Sequence, residues 1–330
     1  MLFYLMRRFI YMVLTLVAVS VVGFLIIQLP PGDYLSSYIM SLRATGQEAD
    51  EAQIAGLRKQ YGLDLPLYLQ YFKWMWNMLH GNLGVSFLWN RRVSELIGER
   101  LLLTVTISLF TLIFTYMVAI PIGIYSATHQ YTVGDYSFTV IGFTGLATPN
   151  FLLALILMFL FYRYFGLNVG GLFSPEYMKA SWSIGRFVDM LRHLPIPIIV
   201  VGTAGTAGLI RVMRGCLLDE LRKQYVITAR AKGVAERTLL FKYPVRIAIN
   251  PVISTISWIL PQIISGATIT AIVLNLPTVG PLLLRALMSQ DMYLAGSMII
   301  FITFLTVVGT FISDILLVQL DPRIKFEKRA

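Results

Sequence analysis

Residues 9–29 read FIYMVLTLVAVSVVGFLIIQL, an uncharged stretch placed directly after Arg7 and Arg8. A helix rises about 1.5 Å per residue, so about 20 such positions cross a hydrocarbon layer of roughly 30 Å. The run is longer than the roughly 7–15 residues of a secretory signal core, and Leu29-Pro30-Pro31-Gly32 lacks the small residues of a cleavage site. It therefore reads as a retained anchor. Five more apolar runs follow, at about 101–127, 138–165, 195–213, 252–276 and 293–320. A chain of 330 residues that is 57% hydrophobic and 13% charged does not fold around one soluble core. The expected fold is an all-α integral membrane protein with six transmembrane helices.

The fourth run is the least apolar, because Gly202, Gly205 and Gly208 recur within it. Small residues at that spacing let a neighbouring backbone approach closely, so this helix is expected in the packed interior. Orientation follows from Lys and Arg near the span ends. With both termini cytoplasmic, that side receives Arg7 and Arg8, nine basic residues between Arg211 and Arg246, and Arg323, Lys325, Lys328 and Arg329. The other side receives Lys179, Arg186, Arg192 and Arg285, with Arg163 at a span end. This bias and attraction to anionic lipid account for the net charge of +10, so no nucleic-acid partner is implied. The single Cys216 permits no internal disulfide.

Domain organisation follows from the gaps: an N-terminal span (1–29), an external subdomain (30–100), and a core (101–330) that includes a cytoplasmic loop at 214–250. The external segment carries seven basic and seven acidic residues and is expected to be helical at 48–60 and 66–79. In the second helix Leu69, Phe72, Trp76 and Leu79 recur at helical spacing. That stripe reads first as a packing face; the alternatives are an external partner or, for Trp74 and Trp76, the lipid headgroup level.

The stretch from Arg211 to Pro251 reads as two helices with a turn. Asp219 and Glu220 suit the positive end of a helix dipole, Gly233 suits the left-handed position past its end, and a second helix from Ala235 stops near Pro244. Leu218, Leu221, Tyr225, Thr228 and Ala229 would form the apolar face of the first helix. Such a hairpin either lies on the membrane surface or docks a soluble partner.

Here Tyr225-Val-Ile-Thr-Ala-Arg-Ala-Lys-Gly233 resembles the cytoplasmic loop of inner-membrane permeases of binding-protein-dependent ABC importers of the peptide and nickel transport family. The likeness extends to Pro31-Gly-Asp33, Tyr61-Gly-Leu-Asp-Leu-Pro66, Gly81-Asn-Leu-Gly-Val-Ser86, Glu99-Arg100, Thr148-Pro-Asn-Phe151, Asn250-Pro251 and Asp321-Pro-Arg-Ile324. The resemblance implies coupling helices between spans 4 and 5, with Tyr225, Thr228, Ala229, Ala231, Lys232 and Gly233 engaging an ATPase subunit. It also implies a second permease (a paralogue or a copy of this chain), two ATP-binding subunits, an extracytoplasmic binding protein and a bacterial or archaeal plasma membrane. Peptides are the implied cargo, with oligosaccharides, opine-like solutes and nickel chelates as alternatives. The chain departs from many members at Ala271 and Pro277-Thr-Val-Gly280, where they carry a Glu and a Pro-Gly-x-Gly turn.

No Gly-x-x-x-x-Gly-Lys-Ser/Thr sequence is present, so ATP and Mg would be bound by the partner subunits and this chain is not expected to be an enzyme or to hold a cofactor. His80, His129 and His193 lack metal-site spacing. Polar groups inside spans are costly unless they meet water or one another, which makes Asn150, Gln262, Ser265, Thr268 and Thr270 candidates for a translocation path. Pro149, Pro261 and Pro277 are candidate helix breaks. An ion-coupled secondary transporter is a rival, but it would want a buried acid near the midplane, and 138–165, 195–213 and 252–276 contain no Asp or Glu. A membrane receptor or scaffold is the other rival class.

Overall fold

The computed structural model describes residues 2–29, 64–178, 180–256 and 268–320, with the single positions 39, 56, 259, 262 and 263. Among them the secondary structure is helical: α1 Leu2–Gln28, α2 Leu67–Leu79, α3 Val93–Thr128, α4 Val133–Ala147, α5 Asn150–Phe165, α6 Ile184–His193 and α7 Pro195–Leu221. There follow α8 Gln224–Ala231, α9 Glu236–Lys242, α10 Pro244–Ser254, α11 Thr268–Val273, α12 Val279–Met288 and α13 Met292–Leu320. Among the described residues four helices (α1, α3, α7 and α13) are long and apolar enough to cross a membrane, or up to five spans if the bent pair α4 and α5 counts as one.

That pair shows that the run 138–165 is not one continuous helix but is broken at Pro149, one of the candidate breaks. The run is two helices meeting at 105°. The cause is local: Pro149 has no N–H to continue the helical ladder and pushes Thr148 into an extended conformation at φ −83°, ψ 119°. Of the run 252–276, the ends belong to α10 and α11, while Pro261 and Ser265 lie outside the described residues, as do the expected helix at 48–60 (Gly56 apart), Pro31-Gly-Asp33 and Asp321-Pro-Arg-Ile324.

The chain forms two compact units, with boundaries inside α3, between α11 and α12, and inside α13. In the first (residues 1–103 and 278–305), Phe24, Trp74, Phe87, Leu282, Leu294 and Met298 form the core. Asp291 fixes the start of α13. Its carboxylate accepts from Ser86 Oγ at 2.5 Å, Leu88 N at 3.2 Å and Leu294 N at 3.1 Å. Burial pushes the Asp291 carboxyl above its usual range, against these donors.

The stripe on α2 does not pack as the spacing suggested. Leu69, Phe72, Trp76 and Leu79 are 41%, 65%, 65% and 75% exposed, whereas Gln70 and Trp74 are buried. The partner decides the face: Phe24 of α1 stacks on Trp74 with ring centroids 6.1 Å apart, and Ser20 of α1 bonds Tyr71 Oη at 2.8 Å. Apolar residues on both sides of α2 made the spacing ambiguous, and it selected the wrong side.

In the second unit (residues 104–277 and 306–330), α7 is the central element, with α4, α5, α6 and α10 packed on it. Half of its membrane-crossing window is buried, against 22–33% for the other long helices. Glycine makes this possible. A Cβ at Gly202 would lie 2.9 Å from the Phe114 ring, one at Gly145 of α4 would lie 2.6 Å from Thr203 Cγ2, and one at Gly123 of α3 would lie 2.6 Å from Met213 Cβ and 3.2 Å from the Ile210 carbonyl. Gly208 meets nothing within 4 Å. Gly123→Ala should therefore destabilise by about 1–3 kcal/mol through overpacking against backbone. Gly208→Ala should leave stability unchanged or raise it by up to about 1 kcal/mol. Thermal unfolding midpoints in detergent separate the two variants.

Candidate functional site

The hairpin between α7 and α10 is built differently from its sequence reading at one end. Asp219 and Glu220 occupy the last turn of α7, not the start of the next helix, and Leu218 and Leu221 belong to α7 as well. The helix breaks at Arg222 and Lys223, the latter extended at φ −72°, ψ 147°. Two acids at a helix C-terminus oppose the macrodipole, and one of them is used otherwise. The Tyr225 hydroxyl donates to the Glu220 carboxylate and ties α8 back to α7. Burial first, and then this carboxylate, push the Tyr225 hydroxyl well above its ordinary range, so it stays a donor.

The hairpin has its own small core of Val226, Ala229 and Leu239, closed by Tyr225, Val234 and Tyr243. Gly233 sits at φ +76°, in the left-handed region, and lets the chain turn back with Gly233 N bonded to Arg230 O at 3.0 Å and Val234 N to Ala229 O at 3.3 Å. Arg230 reaches across the turn to both Glu236 oxygens and holds the Glu236 carboxyl below its usual range. Pro244 then opens α10 from its first position, where its missing N–H costs no bond.

This folding divides the candidate coupling residues. Thr228, Ala231, Lys232 and Gly233 lie on the exposed surface, Ala229 is in the core, and Tyr225 is half-buried beneath them. Ile227 and Phe241 of the hairpin are also exposed, at 47% and 54%, and the sequence reading did not select them. For Ile227 the signal was its position away from the i, i+3 pair Val226 and Ala229, and for Phe241 its position opposite the buried Leu239 on its own helix. The hairpin is also tied into the bundle: Arg214, two turns before the end of α7, donates from Nε and Nη2 to Asp135 at 3.2 and 3.1 Å. Asp135 lies in the first turn of α4 and accepts Tyr131 N at 3.1 Å.

Within the second unit a cavity of about 70 Å³ is lined by Thr115, Asn150, Val201, Ala204, Gly205, Ile259, Gln262 and Ile263. It brings together two of the proposed path residues, Asn150 and Gln262. Thr270 is buried and Thr268 half-buried on α11, outside this cavity, and Ser265 lies outside the described residues. Thr115 was missed. Among the described residues its buried hydroxyl has no hydrogen-bond partner, as is true of Thr111 one turn away, and i, i+4 threonines in an apolar run were the available signal.

Apolar helices around a neutral polar cavity, with a compact basic hairpin after the central helix, are the features of a multi-pass membrane protein. Residues 119–326 match the family described as "Binding-protein-dependent transport system inner membrane component", and residues 1–110 match that system's N-terminal membrane component. The chain belongs to this family. It is 34% identical over 325 residues to the Oligopeptide transport system permease protein AppB of Bacillus subtilis, covering 98% of this chain and 99% of the relative. It is 29% identical over 339 residues to the Dipeptide transport system permease protein DppB of Alkalihalophilus pseudofirmus (99% and 100%) and 28% identical over 363 residues to the Peptidoglycan transport system permease protein YejB of Agrobacterium fabrum (99% and 99%). It is thus an inner-membrane component of an ABC importer, in which ATP hydrolysis belongs to separate subunits and a binding protein brings the solute.

Leu239 is fully buried, so Leu239→Ala should cost the hairpin about 2–5 kcal/mol. Limited proteolysis should then cut residues 224–242 faster, whereas Thr228→Ala, at an exposed site where the hydroxyl bonds only its own helix, should leave the rate unchanged.

Proposed function

We propose that the chain is one of two permease subunits, paralogous or identical, that form a translocation path for peptides, with two ATP-binding subunits docked beneath. It crosses the membrane six times with both termini in the cytoplasm, and the segment from 30 to 100 stands outside. The hairpin α8–α9 is the docking element. Thr228, Ala231, Lys232 and Gly233, joined by Ile227 and Phe241, face the ATPase groove, while Tyr225 and Ala229 set the hairpin's shape. The observation that carries this reading is that the hairpin has its own core yet exposes two large apolar side chains at the end of the most buried helix.

Force applied there would pass along α7 and, through Arg214 and Asp135, to α4. The spans would then alternate between two arrangements, each favoured by the ligand that binds it better. The names of the relatives support peptides as cargo. So does the lining of the cavity: Thr115, Asn150 and Gln262 offer hydroxyl and amide groups without charge. Such groups match a peptide backbone and do not select among side chains. At about 70 Å³ the cavity holds no peptide as it stands, so it would have to widen during transport.

Ile227→Asp combined with Phe241→Asp should weaken docking by roughly tenfold or more, equivalent to about 1.4 kcal/mol or more. The ATP-binding subunits should be lost on copurification and ATP-driven peptide uptake into proteoliposomes should fall in step. Retention of the full complex would contradict the docking assignment. For the path, Asn150→Leu with Gln262→Leu should slow uptake while leaving the complex intact; unchanged uptake would remove this cavity from the route.

A further inference from the structure

We infer that α2 is an interfacial helix, sunk in the lipid leaflet at the Gln28 end of α1, with Leu69, Phe72, Trp76 and Leu79 facing acyl chains and headgroups. Depth is the first argument. Tyr71 bonds Ser20, which lies eight residues, or about 12 Å, before the end of the membrane-crossing helix. Phe24, about 6 Å before that end, stacks on Trp74 and meets Tyr71 edge-on at 5.4 Å. A tyrosine side chain is shorter than the 12 Å or so that separates Ser20 from the end of α1, so a helix resting above that end could not make the Ser20 contact. The buried side of α2 is thus held inside the apolar depth that α1 defines.

Composition is the second argument. The helix carries one charge, the exposed Lys73, whose stem suits snorkelling to the surface. Exposed Tyr68 and Trp76 are the residue types enriched at the headgroup level. A soluble partner meets polar, hydrated surface; at this depth the available solvent is lipid, and an amphipathic helix seated about 5–10 Å into the boundary has this pattern. Naming the leaflet as the outer one rests on the topology proposed above, whereas the depth does not.

The sole cysteine makes the test direct. In a Cys216→Ser background, nitroxide labels are placed at Leu69→Cys, Phe72→Cys and Trp76→Cys, with Asp64→Cys as the water-facing reference. The full chain with its partner subunits is reconstituted in phosphatidylcholine and phosphatidylglycerol vesicles. Collisions with oxygen should exceed those with a water-soluble nickel chelate several-fold at 69, 72 and 76, with the reverse at 64. Dominant nickel collisions at the three sites, or exclusion of both reagents by covering protein, would overturn the assignment. A membrane-impermeant maleimide applied to the Asp64→Cys variant from each side reports the leaflet separately. Reaction only from the side of the N-terminus would overturn the six-span topology and leave the lipid contact standing.

Discussion

Close approach of backbones to α7 is the constraint on which the second unit depends. Apolar side chains gain little by leaving lipid for one another, so contact quality rather than solvent exclusion decides which helices pair. Gly123, Gly145 and Gly202 each remove a Cβ that would overlap its neighbour, and α3, α4 and α7 close up as a result. The continuous α7, about 40 Å long, then connects the bundle interior to the hairpin. A break anywhere along it would separate the hairpin from the cavity.

Two buried acids in this structure sit where helices begin. Asp135 joins the start of α4 to α7 through Arg214, and Asp291 joins the 84–93 turn to the start of α13. Acids at helix N-termini are favoured by the macrodipole, and backbone donors meet their remaining lone pairs. Backbone donors also serve α6: Asp189 accepts the Ser174 hydroxyl and N–H at 2.7 Å each, and although burial raises its carboxyl, these donors outweigh burial and lower it.

Features set by local covalent geometry were readable from the sequence. Gly233 in the left-handed region, the stop of the second hairpin helix before Pro244 and the break at Pro149 each follow from one residue's backbone limits. Features set by partners were not. The α2 stripe was assigned to the core because periodicity reports a face without saying what covers it, and Phe24 and Ser20 covered the other one. The path of α7 through Asp219 and Glu220 was hidden because acids there suggest a helix start, whereas Glu220 serves Tyr225 across the break. Thr115 went unnoticed for a similar reason: its environment is made by Gly205 and Gln262, distant in sequence.

The bend between α4 and α5 has a consequence for how the cavity recognises anything. No side chain caps the first turn of α5, and Asn150, its first residue, lines the cavity. The interruption therefore brings the first residue of a helix, and with it the Asn150 amide side chain, to the cavity wall, while the N–H groups of Leu152 and Leu153 turn back to the Pro149 carbonyl. Substitutions around Pro149 that straightened the bend would move Asn150 from that wall with its own side chain unchanged.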